Sequence, residues 1–271
     1  HYTHNVTEIR DVDSIELITD SELGSGLRIT RSFGQSKISQ DLLLLHGSNV
    51  LEITSNVDWH ETHKLMKLAF AVDVQTAKAT SEIQFGHIER PIHTNTAWDV
   101  ARFETVAHRW LQVAEPNFGV TIANDSTYGH DVTRKQLENG RSYVQIRESL
   151  MRSPVYPDPN TDQGQQTVRT SLKVGSNITE SIAEGFRLNL PLRRHLGSKP
   201  VEPLLSVANT NVVVESVKLA EDQSGDLIVR LYEASGSRTA AAIRPNFDFK
   251  TVAVTDLLEN ELPTSKSLLT A

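Results

Sequence analysis

The sequence predicts a mostly β protein built in two parts, and three stretches carry that expectation. Residues 41–57, DLLLLHGSNVLEITSNV, hold two apolar runs parted by Gly47-Ser48-Asn49, a hairpin pattern. From Lys64 to Val74 the residues Met66, Leu68, Phe70, Val72 and Val74 are uniformly apolar. They alternate with Leu65, Lys67, Ala69, Ala71 and Asp73, as one face of a half-buried strand requires. Near the end, Val212 to Leu219 and Asp226 to Tyr232 flank a polar turn from Glu221 to Gly225, a second hairpin with a charged tip.

The other elements follow in chain order. Thr80 to Phe85, closed by Gly86, reads as a short strand. Residues 97–115 pull two ways. Phe103, Val106, Ala107, Trp110, Leu111 and Ala114 fall at three-and-four spacing behind Thr94 to Thr96, which can cap a helix. The strand alternative puts Phe103, Thr105, Ala107, Arg109 and Leu111 on one face, a poorer pattern. Gly119 to Ala123 is β-rich and runs into the turn-forming cluster Asn124 to Gly129. Residues 151–164 hold three of the ten prolines, which remove ladder donors and predict an ordered loop. A further break runs from Leu196 to Pro203, and a domain boundary is expected near residue 204. Thr251 to Thr255 predicts a last strand.

Composition narrows the function classes. With 271 residues, 23% charged and 38% hydrophobic, the chain reads as an ordinary soluble globular protein of one to two domains. The absence of cysteine excludes a disulfide framework, thiolate metal sites and a cysteine nucleophile. A net charge of −7 argues against a non-specific nucleic-acid partner, which needs a basic footprint. No apolar run is long enough to span a membrane as a helix, so no membrane partner is expected. The opening His1-Tyr2-Thr3-His4 is neither a start methionine nor a signal peptide. It reads as a cut, and the chain is expected to be a piece of a longer protein.

Candidate chemistry is sparse. His60-Glu61-Thr62-His63 places two imidazoles three apart, a spacing zinc uses on a helix. On a strand the two rings point to opposite faces, so an exposed polar strand start is the favoured reading. Gln84-Phe85-Gly86-His87-Ile88-Glu89-Arg90-Pro91 gathers groups that can bind a polar ligand, although a salt-bridged turn explains them more simply. Asn124 and Asp125 ahead of Tyr128 can form a hydrogen-bonding loop or plain Asx turns. Trp59, Trp98 and Trp110 can stack on a sugar face but read first as core. No G-x-S-x-G, P-loop or dinucleotide fingerprint is present.

Longer blocks say more than these patterns. Asp58 to Lys67 followed by Phe70 to Val74 resembles the β-domain of glycoside hydrolase family 38 α-mannosidases. So do Glu82 to Pro91 with His93, Asn95, Thr96, Trp98 and Asp99 behind it, and Phe103-Glu104 with Ala107 to Trp110. Phe118 to Val120, Asn124-Asp125, Tyr128-Gly129, Leu150 to Pro154, Pro157 to Pro159 and Asp162 to Gly164 continue the likeness. Val213 to Lys218 and Val229 to Glu233 close it. The blocks occur in order over nearly the whole chain, and their flavour is the cytosolic or vacuolar type.

The resemblance implies an all-β chain: a large antiparallel super-sandwich, similar to galactose mutarotase, over residues 1–203, then a small β-sandwich over 204–271. It implies that Ala101 to Val113 is strand, against its own periodicity. Family members carry an N-terminal barrel with the aspartate nucleophile, an aspartate acid/base and a His-x-Asp motif for zinc or another divalent ion, and they are retaining hydrolases of α-mannosides. None of those residues has a counterpart here. The chain is therefore expected to hold no catalytic residue, metal or cofactor and to be inactive alone. Its implied partners are its own catalytic domain and an α-mannoside, and its implied location is the cytoplasm. Gln84, His87, Arg90, Asn124, Asp125 and Tyr128 are the residues expected to reach the substrate cleft. The piece should also expose an apolar patch where the catalytic domain docks, a face that can carry a weak homodimer. The rival expectations are a free-standing carbohydrate-binding module and a mutarotase-like epimerase using His87 with a nearby carboxylate.

Overall fold

The computed structural model describes residues 5–263, which form two compact units, one up to Leu192 and one from Arg193 onward. Period-two alternation decides the architecture of the first unit. Its elements are β1 (Ser14–Ser21), β2 (Gly24–Phe33), β3 (Ser36–Leu45), β4 (Val50–Trp59), β5 (Leu65–Val72), β6 (Lys78–Ile83), β7 (Gly86–Pro91), α1 (Ala97–Ala101), β8 (Thr105–Val106), β9 (Trp110–Glu115), β10 (Phe118–Asn124), β11 (Gly129–Gln136), β12 (Ser142–Arg152), β13 (Gly164–Val174) and α2 (Ile178–Asn189). Nine strands pair in the order β1-β2-β3-β4-β13-β10-β9-β6-β7, and four in the order β5-β12-β11-β8. Every pairing in the two sheets is antiparallel. The all-β expectation holds.

The core forms where the apolar faces of the two sheets meet. Phe70 and Val72 of β5 with Val144 and Ile146 of β12 pack on Leu111, Val113, Val120 and Ile122 of β9 and β10. Met66, Leu68, Leu150 and Met151 pack on Ile38, Val57, Trp59 and Val168. The alternation from Lys64 to Val74 therefore reads correctly: its apolar set faces inward. The hairpin at Gly47 is also present, with β3 and β4 paired from Lys37↔Asp58 to Leu44↔Leu51.

Residues 97–115 depart from both expectations. The continuous strand expected from Ala101 to Val113 is broken: α1 ends at Ala101, and pairing begins at Thr105–Val106 and again at Trp110. The helix is one short piece. Thr96 caps it, its hydroxyl accepting from Asp99 N at 3.2 Å while Asp99 Oδ2 accepts from Thr96 N at 3.1 Å. Beyond it, β9 is paired on both sides, and ladder bonds with β10 and β6 override the helical spacing of Ala107, Trp110 and Leu111. Helix α2 has its own signal, a capping box in which Asn177 and Glu180 bond reciprocally. It packs on β9, β10 and β13, and its Gly185 lies against Trp110, where a Cβ would come within 2.9 Å of the indole.

The second unit is slighter. Its strands are β14 (Leu205–Val207), β15 (Val212–Leu219), β16 (Leu227–Glu233) and β17 (Ile243–Pro245), pairing as β14-β17 and β15-β16. The hairpin expected from Val212 to Tyr232 is therefore present. The strand expected at Thr251 to Thr255 is not: among the described residues that stretch makes one bridge, Thr255↔Glu261. Beside the bridge lie a turn, in which Asp256 N donates to Asn260 O at 2.9 Å, and a bond from Leu262 N to Val254 O at 2.9 Å.

Candidate functional site

The six expected cleft residues arise on two turns. Gln84 sits exposed in the β6–β7 turn, where Phe85 adopts φ 60°. His87 stands opposite Glu82 across that hairpin, its ring centroid 6.1 Å from that of the buried Trp110. Asn124 ends β10 fully buried, and its Nδ2 donates to His108 O at 3.2 Å. Asp125 accepts from Arg169 through both its backbone N–H, at 3.0 Å, and its Nε, at 2.8 Å. Tyr128 remains exposed and meets the His108 ring edge-on at 5.5 Å. His87, Asn124 and Tyr128 thus gather around the segment His108 to Trp110, with Asp125 next along the same turn. Arg90 does not join them. It lies further along β7, where its Nη1 donates to Val106 O at 3.0 Å.

Residues with no spacing signal complete this end. Glu82 is buried and grips Arg109, accepting from Nη2 at 2.7 Å and from the Arg109 backbone N–H at 2.7 Å. The Arg109 guanidinium also stacks 3.9 Å over Phe186. Below the turn, Glu148 of β12 is fully buried, accepting from Thr127 Oγ1 at 2.8 Å and Thr170 Oγ1 at 2.7 Å. Register places Glu148 opposite His130, and Thr170 opposite Asn124. A closed ring results: Asn124, Thr170, Glu148, His130, Tyr128, His108.

The electrostatics of the ring follow from burial. Desolvation lifts the Glu148 carboxyl to about 7, against the two threonine hydrogen bonds and helped by the charge of Asp125. Desolvation lowers His130 and keeps it neutral. Its Nδ1 donates to Tyr128 O at 2.9 Å, which leaves Nε2 as a buried acceptor. His130 Nε2, His108 Nδ1 and Asn124 Oδ1 have no hydrogen-bonding partner among the described residues. Unpaired buried polar atoms are rare in folded proteins. Three such atoms sit on one ring, each shielded from solvent.

The residues do not fit a metal ion. His60 Nε2 lies 2.9 Å from Asp58 Oδ1, and His63 has a left-handed backbone at φ 54°. Glu61 is not part of an exposed strand start as expected. It is buried and accepts from Gln35 N at 2.8 Å and from Ser36 Oγ at 3.2 Å, tying down the β2–β3 turn, and it also pairs with Lys64. No group of three histidine, aspartate or glutamate side chains among the described residues is placed to hold one ion.

Two antiparallel β units, the first a broad sandwich with a polar end, define an all-β class, and comparison with known proteins gives it a family. Residues 1–160 match the glycosyl hydrolases family 38 C-terminal domain, and residues 211–270 match the family 38 C-terminal beta sandwich domain. The chain belongs to glycosyl hydrolase family 38. Alpha-mannosidase 2C1 of Homo sapiens is 34% identical over 249 residues, covering 89% of this chain and 23% of that protein. Alpha-mannosidase G of Dictyostelium discoideum is 33% identical over 248 residues, 86% of this chain and 22% of that protein. The chain therefore spans under a quarter of the length of these curated relatives. An alpha-mannosidase from Enterococcus faecalis V583 superposes with a TM-score of 0.77 over 94% of this chain and 33% of its own, at 17% identity, which shows a shared fold.

Proposed function

We propose that this chain is the non-catalytic β region of an α-mannosidase that hydrolyses terminal α-mannosides. One observation carries the reading: nearly nine-tenths of the chain aligns with the human mannosidase while filling only 23% of it. The nucleophile, the acid/base and the zinc or other divalent ion belong, on this reading, to the part of the longer protein that this chain does not align with. The chain braces that part and lends the turns at Gln84–His87 and Asn124–Tyr128 to the wall of the substrate cleft. A cytosolic location rests on the resemblance to the cytosolic type; no helix among the described residues is long and apolar enough to cross a membrane.

An exposed apolar stretch supports the bracing role. Trp98 is 83% exposed, and Val100, Phe103 and Val106 are more than half exposed. Their support is firm. Asp99 is buried beneath them, held by Thr96, Arg102 and His93, and the Thr96 hydrogen bonds keep its carboxyl below the usual range. A large aromatic displayed on a rigid support is the pattern of an interface anchor.

The test is an aryl α-mannoside assay of the 271-residue chain with and without added Zn²⁺ or Co²⁺. No turnover is expected, and metal-dependent turnover would overturn the reading. In a longer mannosidase containing this chain, His87→Ala should lower kcat/KM by about tenfold, roughly 1.4 kcal/mol, with melting unchanged. An unaltered kcat/KM removes His87 from the cleft wall.

A further inference from the structure

Arg90, the expected cleft residue that stands apart, carries a charge that this chain leaves unanswered. It lies on β7, a border strand of the nine-stranded sheet. Paired residues on antiparallel strands share a face, and Arg90 stands opposite Ala79, a core residue 4% exposed. Arg90 therefore leaves β7 on the core side. Its neighbour Glu89 leaves on the other side and pairs with Lys78. Half-buried, the Arg90 side chain makes one hydrogen bond among the described residues, from Nη1 to Val106 O at 3.0 Å. The acids nearby are taken. Asp99 holds Arg102 and His93, and Glu104 holds Lys67 and Ser149. Arg28 and Arg187 show the usual arrangement: each grips a carboxylate, which raises its pKa. For Arg90 desolvation acts alone and lowers it. A half-buried cation set only against a carbonyl oxygen is costly, and a guanidinium does not shed its proton to escape.

The setting of Arg90 says what answers its charge. The carbonyl it holds belongs to the exposed apolar stretch of Trp98, Val100, Phe103 and Val106. An exposed tryptophan, further apolar side chains and an unanswered arginine have the composition of an interface centre, where Trp and Arg carry much of the binding energy. A carboxylate matches a guanidinium with two parallel hydrogen bonds and removes the charge imbalance. A polyanion such as nucleic acid fits less well, because the chain as a whole carries a net charge of −7. The chain aligns with 23% of the human mannosidase, so on the reading above most of the longer polypeptide lies outside it and can supply that acid.

We propose that Arg90 is the charged anchor of the Trp98 docking face, and that its partner is a carboxylate set in an apolar surface of the rest of the mannosidase polypeptide. This rests on the bracing role and adds the chemistry of the contact.

Hydrogen exchange of a longer mannosidase containing this chain, compared with the 271-residue chain alone, tests the face. Amides of residues 97–106 should exchange at least about tenfold more slowly in the longer protein. Arg90→Gln, which keeps a donor for Val106 O but loses the charge, should cancel most of that slowing and leave the melting of the 271-residue chain unchanged. Arg90→Lys permits a zero-length carbodiimide cross-link, in which the introduced amine and the partner carboxylate join as an amide with loss of water. Mass spectrometry should find that amine joined to a peptide outside these 271 residues. A cross-link confined to this chain, or none, overturns the proposal. So does slowing that survives Arg90→Gln, or a loss of melting temperature as large in the 271-residue chain as in the longer protein. Equal exchange in the two proteins, with no turnover of an aryl α-mannoside by the 271-residue chain, removes the docking face and leaves the non-catalytic reading standing. Turnover by the 271-residue chain removes that reading instead.

Discussion

Arg147 and Glu148 are neighbours on β12, yet the carboxylates on the two faces, Asp131 beside Arg147 and Glu148 itself, stand in opposite surroundings. Arg147 points outward and shares Asp131 with Lys67, so three charges stand half to fully buried with opposite signs in contact. Glu148 points inward and meets only hydroxyls, a neutral histidine opposite, and the like charge of Asp125 nearby. The outer face sets opposite charges in contact; the inner carboxyl holds its proton to about pH 7. Burial alone does not decide ionisation. What matters is whether the neighbouring strand supplies a countercharge, and on a pleated strand one step of sequence changes that neighbour.

Four substitutions probe the contrast, from the largest effect to the smallest. Asp131→Ala strips the partner from Lys67 and Arg147 and should cost about 4 kcal/mol in urea unfolding, the scale of a broken buried pair. A loss below about 1 kcal/mol would mean that the outer network is held by solvent rather than by Asp131. Glu148→Gln acts in the opposite sense. The folded carboxyl sits near 7 against an ordinary 4.5, so the native state binds the proton more tightly than the unfolded chain does. Its stabilisation is whole below pH 4.5 and disappears as pH rises through 7. Removing the ionisable group should therefore raise stability by about 3 kcal/mol at pH 8 and by little at pH 4. Parallel stability–pH profiles of the two proteins would refute this account. Thr133→Val replaces a buried, unpaired hydroxyl and should stabilise the chain by up to about 1 kcal/mol; marked destabilisation would show that the hydroxyl is satisfied. Trp98→Ala should shift the melting of this chain by no more than about 0.5 kcal/mol equivalent, since its ring touches water. A large shift would place Trp98 within the fold instead of on a docking face.

Legibility in the sequence followed the same divide between local and long-range causes. The inward set of β5 and the hairpins at Gly47 and Gly225 were readable because alternation and turn residues are local signals. The stretch from Trp98 to Val113 was not, because its helical spacing is genuine for one capped turn and is then overruled by pairing with β6 and β10. Helix α2 was not expected from the sequence, although Asn177 and Glu180 form a local capping box. Of the candidate site, Asn124 and Tyr128 were found through the resemblance. Glu148 and Thr170 were invisible: 22 residues apart, they meet only because β12 and β13 lie in facing sheets. Arg90 lies apart from the other five, further along β7 beside Val106, a separation that the linear motif does not reveal.

The ends of the nine-stranded sheet bear on how copies of this protein meet in a crowd. Among the described residues β1 and β7 are its outermost strands, and each presents backbone groups to the outside. Such borders invite another chain to add itself, strand by strand. Here β1 carries Glu16 and Asp20 and is kinked by an irregularity between Leu17 and Thr19. At the opposite border β7 bears Glu89 paired with Lys78 and ends at Pro91, which has no amide hydrogen to offer. Two copies meeting β1 to β1 bring acid against acid across a crooked seam. The sheet is wide, but its margins discourage growth into a fibre.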